Sequence, residues 1–350
     1  MSPIRLQRSD QGAEDVDAMV TALGRRVGVA GVLEDLNRQA RPARPPGRAV
    51  EGGFTWDAAD AASPTWFPQG ITTSADAGER AGLEGRRVLL VSWYSRRTPQ
   101  QGGPDQGSRV TVVDLDTLAY RHVLLVVPRR RAGRVEAVPL RAHAGGLVWY
   151  ADHLHVAGTK RGLHTCRLED LLRVDDTSAV LGHRYVLPVR HRYLASSDPG
   201  TEDMRYSFLS LDRDSDPPQL LAGEYAVGKQ TRRLVRFPLD PATGHLAAAA
   251  DVTAEPVWID DGGAGHMQGA AVAKGRFYVT TSRGARHRGR MHVGTPGALR
   301  PRRRTLPPGP EDITYWPETD RLWSLTEHPG SRWVFSMPRS WFDRRWHRPW

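Results

Sequence analysis

The spacing of apolar positions changes once along the chain. Val16, Met19, Val20, Leu23 and Val27 recur at helical intervals, and "GVLEDLNRQA" continues the pattern. "RPARPPGR" (41–48) then reads as a linker, because proline and glycine interrupt both helix and strand. Beyond it, short runs alternate with a period of two, as strands with one buried face do. The expected organisation is a helical N-terminal extension with a Pro/Arg-rich linker over 1–50 and a β-domain over 51–350.

The strand-like runs repeat in threes. One set reads "QGITTS" (69–74), "GGLVWY" (145–150), "YSFLSL" (206–211), "QGAAVA" (268–273) and "EDITYW" (311–316). Each is followed by a second: "RVLLVSWY", "HLHVAGT", "PQLLAGEY", "RFYVTTS" and "RLWSLTE". In register, Leu89, Leu154, Leu220, Phe277 and Leu322 share a column, as one buried face requires. A third set closes each unit, from "SRVTVVDL" (108–115) to "SRWVFSM" (331–337). "YRHVLLVV", "HRYVLP" and "AEPVWI" supply candidate fourth strands.

Such a unit cannot bury both its faces alone, whereas units arranged radially bury one another. The expected fold is all-β: a β-propeller of five blades, each with three to four antiparallel strands. A six-bladed ring is the nearer rival and a sandwich the more distant one. "GGFTWDA" (52–58) or the C-terminal tail is expected to complete the last blade.

This register gathers sequence-distant residues on one face, at the mouth of the central channel. The starts of the first strands bring Gln69, His143, Arg205, Tyr206, His266, Gln268 and Glu311. The loops after the second strands bring Trp93, Tyr94, Lys160, Glu224, Tyr225, Arg283 and Glu327. Polar groups converging over an apolar floor suit a small molecule. His143 and His266 share a register position, and with Glu311 they could form a base and its partner acid, or bind a divalent metal. The other residues are expected to hold substrate, and no cofactor is predicted. Glu224, Glu311 and Glu327 could instead form a glycosidase set of the arabinanase type, with one acid and one carboxylate across a bond.

Composition narrows the partners. Net charge is +10, yet all but three of the 49 basic residues are arginine and Asn37 is the only asparagine. That bias is what a GC-rich genome gives, so a nucleic-acid partner is not expected. Arginine runs at 129–134, 283–290 and 300–305 read as solvated rim. Cys166 is the only cysteine, which excludes an intrachain disulfide. No apolar run approaches the roughly 20 residues of a membrane span. Acids stand where a signal peptide would be apolar, so a cytoplasmic monomer is expected, or an exported protein if translation starts elsewhere. Neither a nucleophile elbow nor a phosphate-binding glycine loop is present.

"FTWDAAD", "WFPQGITTSADA", "HAGGLVWYADHLHVAGT", "LLAGEY" and "PPGPEDITYWPETDRLW" are similar to strings in a group of bacterial β-propeller proteins, many of them exported. The resemblance spans most of residues 54–338 and implies a propeller without a particular reaction. "GPEDITYW" and "FPQGITTS" also resemble the blade starts of gluconolactonase-like propellers. The calcium site of that superfamily uses asparagine, which this domain lacks. The expected function is an acid–base enzyme of lyase, cyclase or hydrolase type. The alternative is a non-catalytic propeller that binds carbohydrate or a protein partner on the same face.

Overall fold

The computed structural model describes residues 2–78, 83, 85–96 and 106–343. Most of the regular structure is antiparallel meanders. The first runs through Trp66–Thr73, Val88–Ser95, Ser108–Asp114 and Ala119–Arg131. The next runs through Leu147–Tyr150, His153–Ala157, Leu163–Arg167 and Tyr185–Ser197. Phe208–Asp212, Gln219–Gly223, Leu234–Pro238 and Trp258–Asp260 follow. Then come Met267–Ala273, Arg276–Thr281, Arg290–Gly294 and Arg300–Arg302. The last meander is Pro310–Trp316, Arg321–Thr326 and Trp333–Pro338.

Each first strand packs against the first strand of the next meander, and Pro310–Trp316 packs against Trp66–Thr73. The inner strands therefore close a ring, which makes the architecture a β-propeller. Gly52–Thr55 pairs antiparallel with Trp333–Pro338, Trp333 opposite Thr55, and so supplies the last meander's outer strand from the other end of the chain. The alternative segment expected in that role, the C-terminal tail, lies outside the described residues from position 344.

Helices Ala13–Leu23 and Gly28–Leu33 bury Val16, Met19, Val29, Val32 and Leu33 where the apolar spacing places them. The N-terminal region is nonetheless not purely helical. Ile4–Ser9 is a strand that pairs with Tyr185–Ser197, Ile4 opposite Ser197. Arg41–Ala43, in the stretch read as a linker, pairs with Gly52–Thr55. Neither strand carries an alternating pattern long enough to stand out in sequence. At the rim, Val186–Pro188 pairs in parallel with Leu124–Val126 and joins the first two meanders into one 14-stranded sheet.

Apolar faces of neighbouring meanders interlock. Leu90, Val110, Val112 and Val123 meet Leu147, Trp149, Leu154 and Val156 in one buried cluster. Each such side chain contributes roughly 1.5–3 kcal/mol by leaving water. Nearer the axis the backbones themselves touch. A Cβ on Gly146 would stand 2.0 Å from the Leu209 nitrogen, and one on Gly269 would stand 2.7 Å from Asp312 Cα. Glycine is required there because the inner strands converge, which explains its recurrence in the first set of runs. Among the described residues no helix is long and apolar enough to cross a membrane.

Candidate functional site

Three inner strands carry a β-bulge at their start. Pairing slips between Pro68 and Ile71, between Met267 and Gly269, and between Pro310 and Ile313. A bulge sets two residues against one on the partner strand and re-aims a side chain. The residues so displaced include Gln69, Gln268 and Glu311, and all three line one cavity of about 610 Å³. Gly145 and Ser207 line it from the corresponding positions of the two other inner strands. This corrects the expected register of the third unit. Ser207, not Tyr206, stands in the column, and Tyr206 is wholly buried in the apolar core.

Glu311 is only 4% exposed. Burial pushes its carboxyl well above the usual range, and the nearby charges of Glu327 and Asp312 push the same way. Gln268 Nε2 donates to Glu311 Oε1 at 3.1 Å. Gln69 Nε2 donates to Glu327 Oε2 at 3.0 Å. Behind Glu327, Arg332 Nε donates to its backbone carbonyl at 2.7 Å. Arg332 is buried over the Phe67 ring, which brings its guanidinium down to about 10. The two acids thus share one cavity, each held by an amide.

The walls come from second strands and their loops. Tyr94 lies against His143 with ring centroids 4.4 Å apart. Burial, reinforced by Glu327, raises the Tyr94 hydroxyl to about 12, so it stays a neutral donor. His143 is open to the cavity, yet the protein around it displaces enough water to lower its pKa. It therefore holds a free lone pair at neutral pH. Arg205 Nη2 donates to the Thr231 carbonyl at 2.9 Å, and its side chain also pairs with Glu202. Tyr225 and Glu327 complete the expected lining.

The floor is Asp312, one residue beyond Glu311 and fully buried. Its Oδ2 accepts from the Ile71 amide at 3.1 Å. Burial pushes this carboxyl well up, against that donor. This side chain thus ties two neighbouring inner strands together beneath the cavity.

Several expected site residues lie elsewhere. His266 lines a separate cavity of about 230 Å³ with Arg283, Arg232, Arg290 and His292. The difference from His143 is a backbone one. His266 itself takes a positive φ of 61°, whereas in the other unit the left-handed residue is Ala144, one position later. The trio His143, His266 and Glu311 therefore does not converge in one cavity. Tyr225 Oη, 3.4 Å from His266 Nδ1, stands between the two spaces. Trp93 faces away from its neighbour Tyr94, by strand alternation, and is buried against Trp56 at 4.9 Å. Glu224 is wholly buried and clamped by Arg233, with Nη2–Oε1 at 2.9 Å and Nε–Oε2 at 3.1 Å. Hydrogen bonds from that guanidinium and two backbone amides outweigh burial and lower its pKa, so its role is structural. Lys160 is exposed and outside the lining, where Thr159 takes the place.

Arg96, Ser207 and Gln230 also line the cavity and were not singled out from sequence. Ser207 was within reach of the register, had the third unit been aligned on its strand start. Arg96 and Gln230 come from loops that carry no repeat signal. No group of three or more metal-ligating side chains gathers in this cavity among the described residues. The one such group is His153, His191 and His245, at another place in the ring.

No family model and no curated protein sequence matches the chain. Solved structures do. A gluconolactonase from Xanthomonas campestris is 14% identical, with 85% of this chain and 87% of that chain covered and a TM-score of 0.39. A β-xylosidase/α-arabinofuranosidase of glycoside hydrolase family 43 from a compost metagenome is 9% identical, with 84% and 94% covered and a TM-score of 0.38. The Cps50 (Swd1) β-propeller domain of Myceliophteria thermophila is 11% identical, with 77% and 96% covered and a TM-score of 0.37.

Proposed function

We propose that the chain is a five-bladed propeller enzyme, with residues 1–50 as an extension along its rim, that hydrolyses a neutral, hydroxylated small molecule at the channel mouth. The single observation that carries this reading is the pair Glu311 and Glu327 in one cavity. Burial and the Glu327 charge raise the Glu311 carboxyl well above the usual carboxylate range, which favours its protonated form. A carboxylic acid that stays protonated at neutral pH is the form a general acid needs.

In the reaction, Glu311 gives its proton to the leaving oxygen as the bond to that oxygen breaks. His143, neutral because it is desolvated, takes a proton from the attacking water, whose oxygen forms the new bond. Solvent exchange then returns both groups to their starting states. Gln268 and Gln69 fix the two acids, and Gln69 Nε2 is also anchored on the Pro68 carbonyl. Tyr94 and Tyr225 supply flat apolar faces, and Arg205 sets a positive edge. The lining is mostly uncharged donors and acceptors, which is why a polyol-like substrate is favoured over an anion.

The test is turnover by purified protein on a panel of nitrophenyl glycosides and aldonolactones, with Glu311→Gln beside the parent. Turnover on at least one class, reduced about 10²–10⁴-fold in the folded variant, supports general-acid catalysis. Parent and variant turning over equally refutes it. The exposed Tyr225 ring also suits a binding platform without chemistry. Saturable heat of binding for a sugar with no turnover selects that second reading.

A further inference from the structure

Three histidine rings converge at the far end of the second meander, away from the cavity. The Leu147–Tyr150 strand starts at the cavity and ends in a tight turn, with Tyr150 opposite His153. His191 comes from Tyr185–Ser197, and His245 from the loop beyond Leu234–Pro238 of the neighbouring meander. One ring nitrogen of each lies within 4.8 Å of the other two. Ring centroids are 4.4 Å apart for His153 and His245 and 4.8 Å for His191 and His245.

Two of the three rings have a hydrogen-bonded partner on one nitrogen, as metal-binding imidazoles do. His191 Nδ1 is 2.7 Å from Asp10 Oδ1. His245 Nδ1 is 3.1 Å from Tyr193 Oη, and that hydroxyl is fixed by the Leu246 amide at 3.1 Å. His153 Nδ1 lies 2.8 Å from Asp152 Oδ1, yet makes no aligned hydrogen bond although His153 is 96% buried. Carboxylates and hydroxyls behind an imidazole fix its tautomer and leave the other nitrogen's lone pair for a cation. His155, the next ring in the stack, shows the contrast. Both its nitrogens are used, by Thr165 Oγ1 at 2.9 Å and the Gly244 carbonyl at 3.1 Å.

We propose that His153, His191 and His245 bind a zinc ion, one nitrogen each, with water at a fourth position. Neutral imidazole nitrogens suit zinc at Zn–N distances of about 2.0–2.1 Å, which brings ligand nitrogens to about 3.3 Å from one another. The rings must close from their present spread. His245 stands half-buried in a bend beside Gly244, and closing the rings takes a side-chain rotation there. Asp10 and Asp152 place negative charge behind the site, partly balanced by Arg8 and Arg167. The ion would bind together the second meander, the third, and the N-terminal segment that carries Asp10.

The test uses the full chain stripped with chelator and titrated with zinc against a chromophoric competitor. One equivalent is expected to bind and to raise Tm. Asp10→Asn should weaken binding about 10–100-fold, as loss of a partner behind a ligand does. His245→Gln should weaken it further while the parent circular dichroism is retained, and His191→Gln serves if that variant does not fold. Cobalt in place of zinc should give the intense visible bands of a four-coordinate site. Absence of saturable binding overturns the proposal. So does unchanged binding in the folded His245→Gln or His191→Gln variant, because ten other histidines of the 13 would then be holding the metal.

Discussion

Gln268 Nε2 donates to Glu311 Oε1 at 3.1 Å, across the boundary between two neighbouring inner strands. The amide engages one oxygen of the carboxyl, in a cavity where burial raises the Glu311 pKa. Because Gln268 and Glu311 are both displaced by bulges, strand pairing itself holds the contact.

The raised pKa of Glu311 gives stability a definite sign with pH. In the unfolded chain its carboxyl ionises near 4.5, whereas the folded protein retains the proton to higher pH. The stabilising contribution is therefore complete below about pH 4.5. It is lost as pH rises from there through the folded value, by up to about 1.4 kcal/mol per pH unit within that window. Glu311→Gln has no proton to lose. Its Tm should match the parent's near pH 4 and exceed it progressively as pH rises, in thermal melts buffered across that range.

The two histidines of shared register should separate in kinetics. His143 lines the cavity, and His266 stands beyond Tyr225 in the smaller space. On the substrate that the panel identifies, His143→Ala should lower kcat about 100-fold. His266→Ala should leave kcat at the parent level. A larger loss in His266→Ala would move the base to the neighbouring cavity.

Asp312 is expected to matter for the ring rather than for turnover. Removing its carboxyl leaves the buried Ile71 amide without its acceptor. At roughly 1–3 kcal/mol for an unsatisfied buried group, Asp312→Ala should lose that much in urea unfolding. Asp312→Asn keeps an acceptor oxygen and should lose about 1 kcal/mol.

Close packing at the axis gives a paired control. Gly146→Ala would drive a methyl to 2.0 Å from the Leu209 nitrogen, whereas a Cβ on Gly52 meets nothing within 4 Å. Soluble yield and Tm should collapse for Gly146→Ala and hold for Gly52→Ala.

Strand order and inner-strand identity were legible because period-two alternation and recurrent glycines report burial and close approach directly. Gln69, Gln268 and Glu311 followed from that register, and they do meet in one cavity. A left-handed backbone residue leaves no such trace, so the sequence could not separate His143 from His266, whereas the inward turn of Trp93 follows the same period-two alternation. Glu224 looked like a loop acid because its partner Arg233 stands nine residues away, just before the next strand. The cluster of His153, His191 and His245 joins two meanders through a loop without repeat signal, and only the fold reveals it.

The central claim is that Glu311 carries a proton at neutral pH inside the cavity. Infrared difference spectra between the parent and Glu311→Gln at pH 7 test it most directly. The carbonyl stretch of one protonated carboxylic acid should be present in the parent and missing from the variant. If the variant instead loses a carboxylate band, Glu311 is ionised in the folded protein and cannot be the general acid.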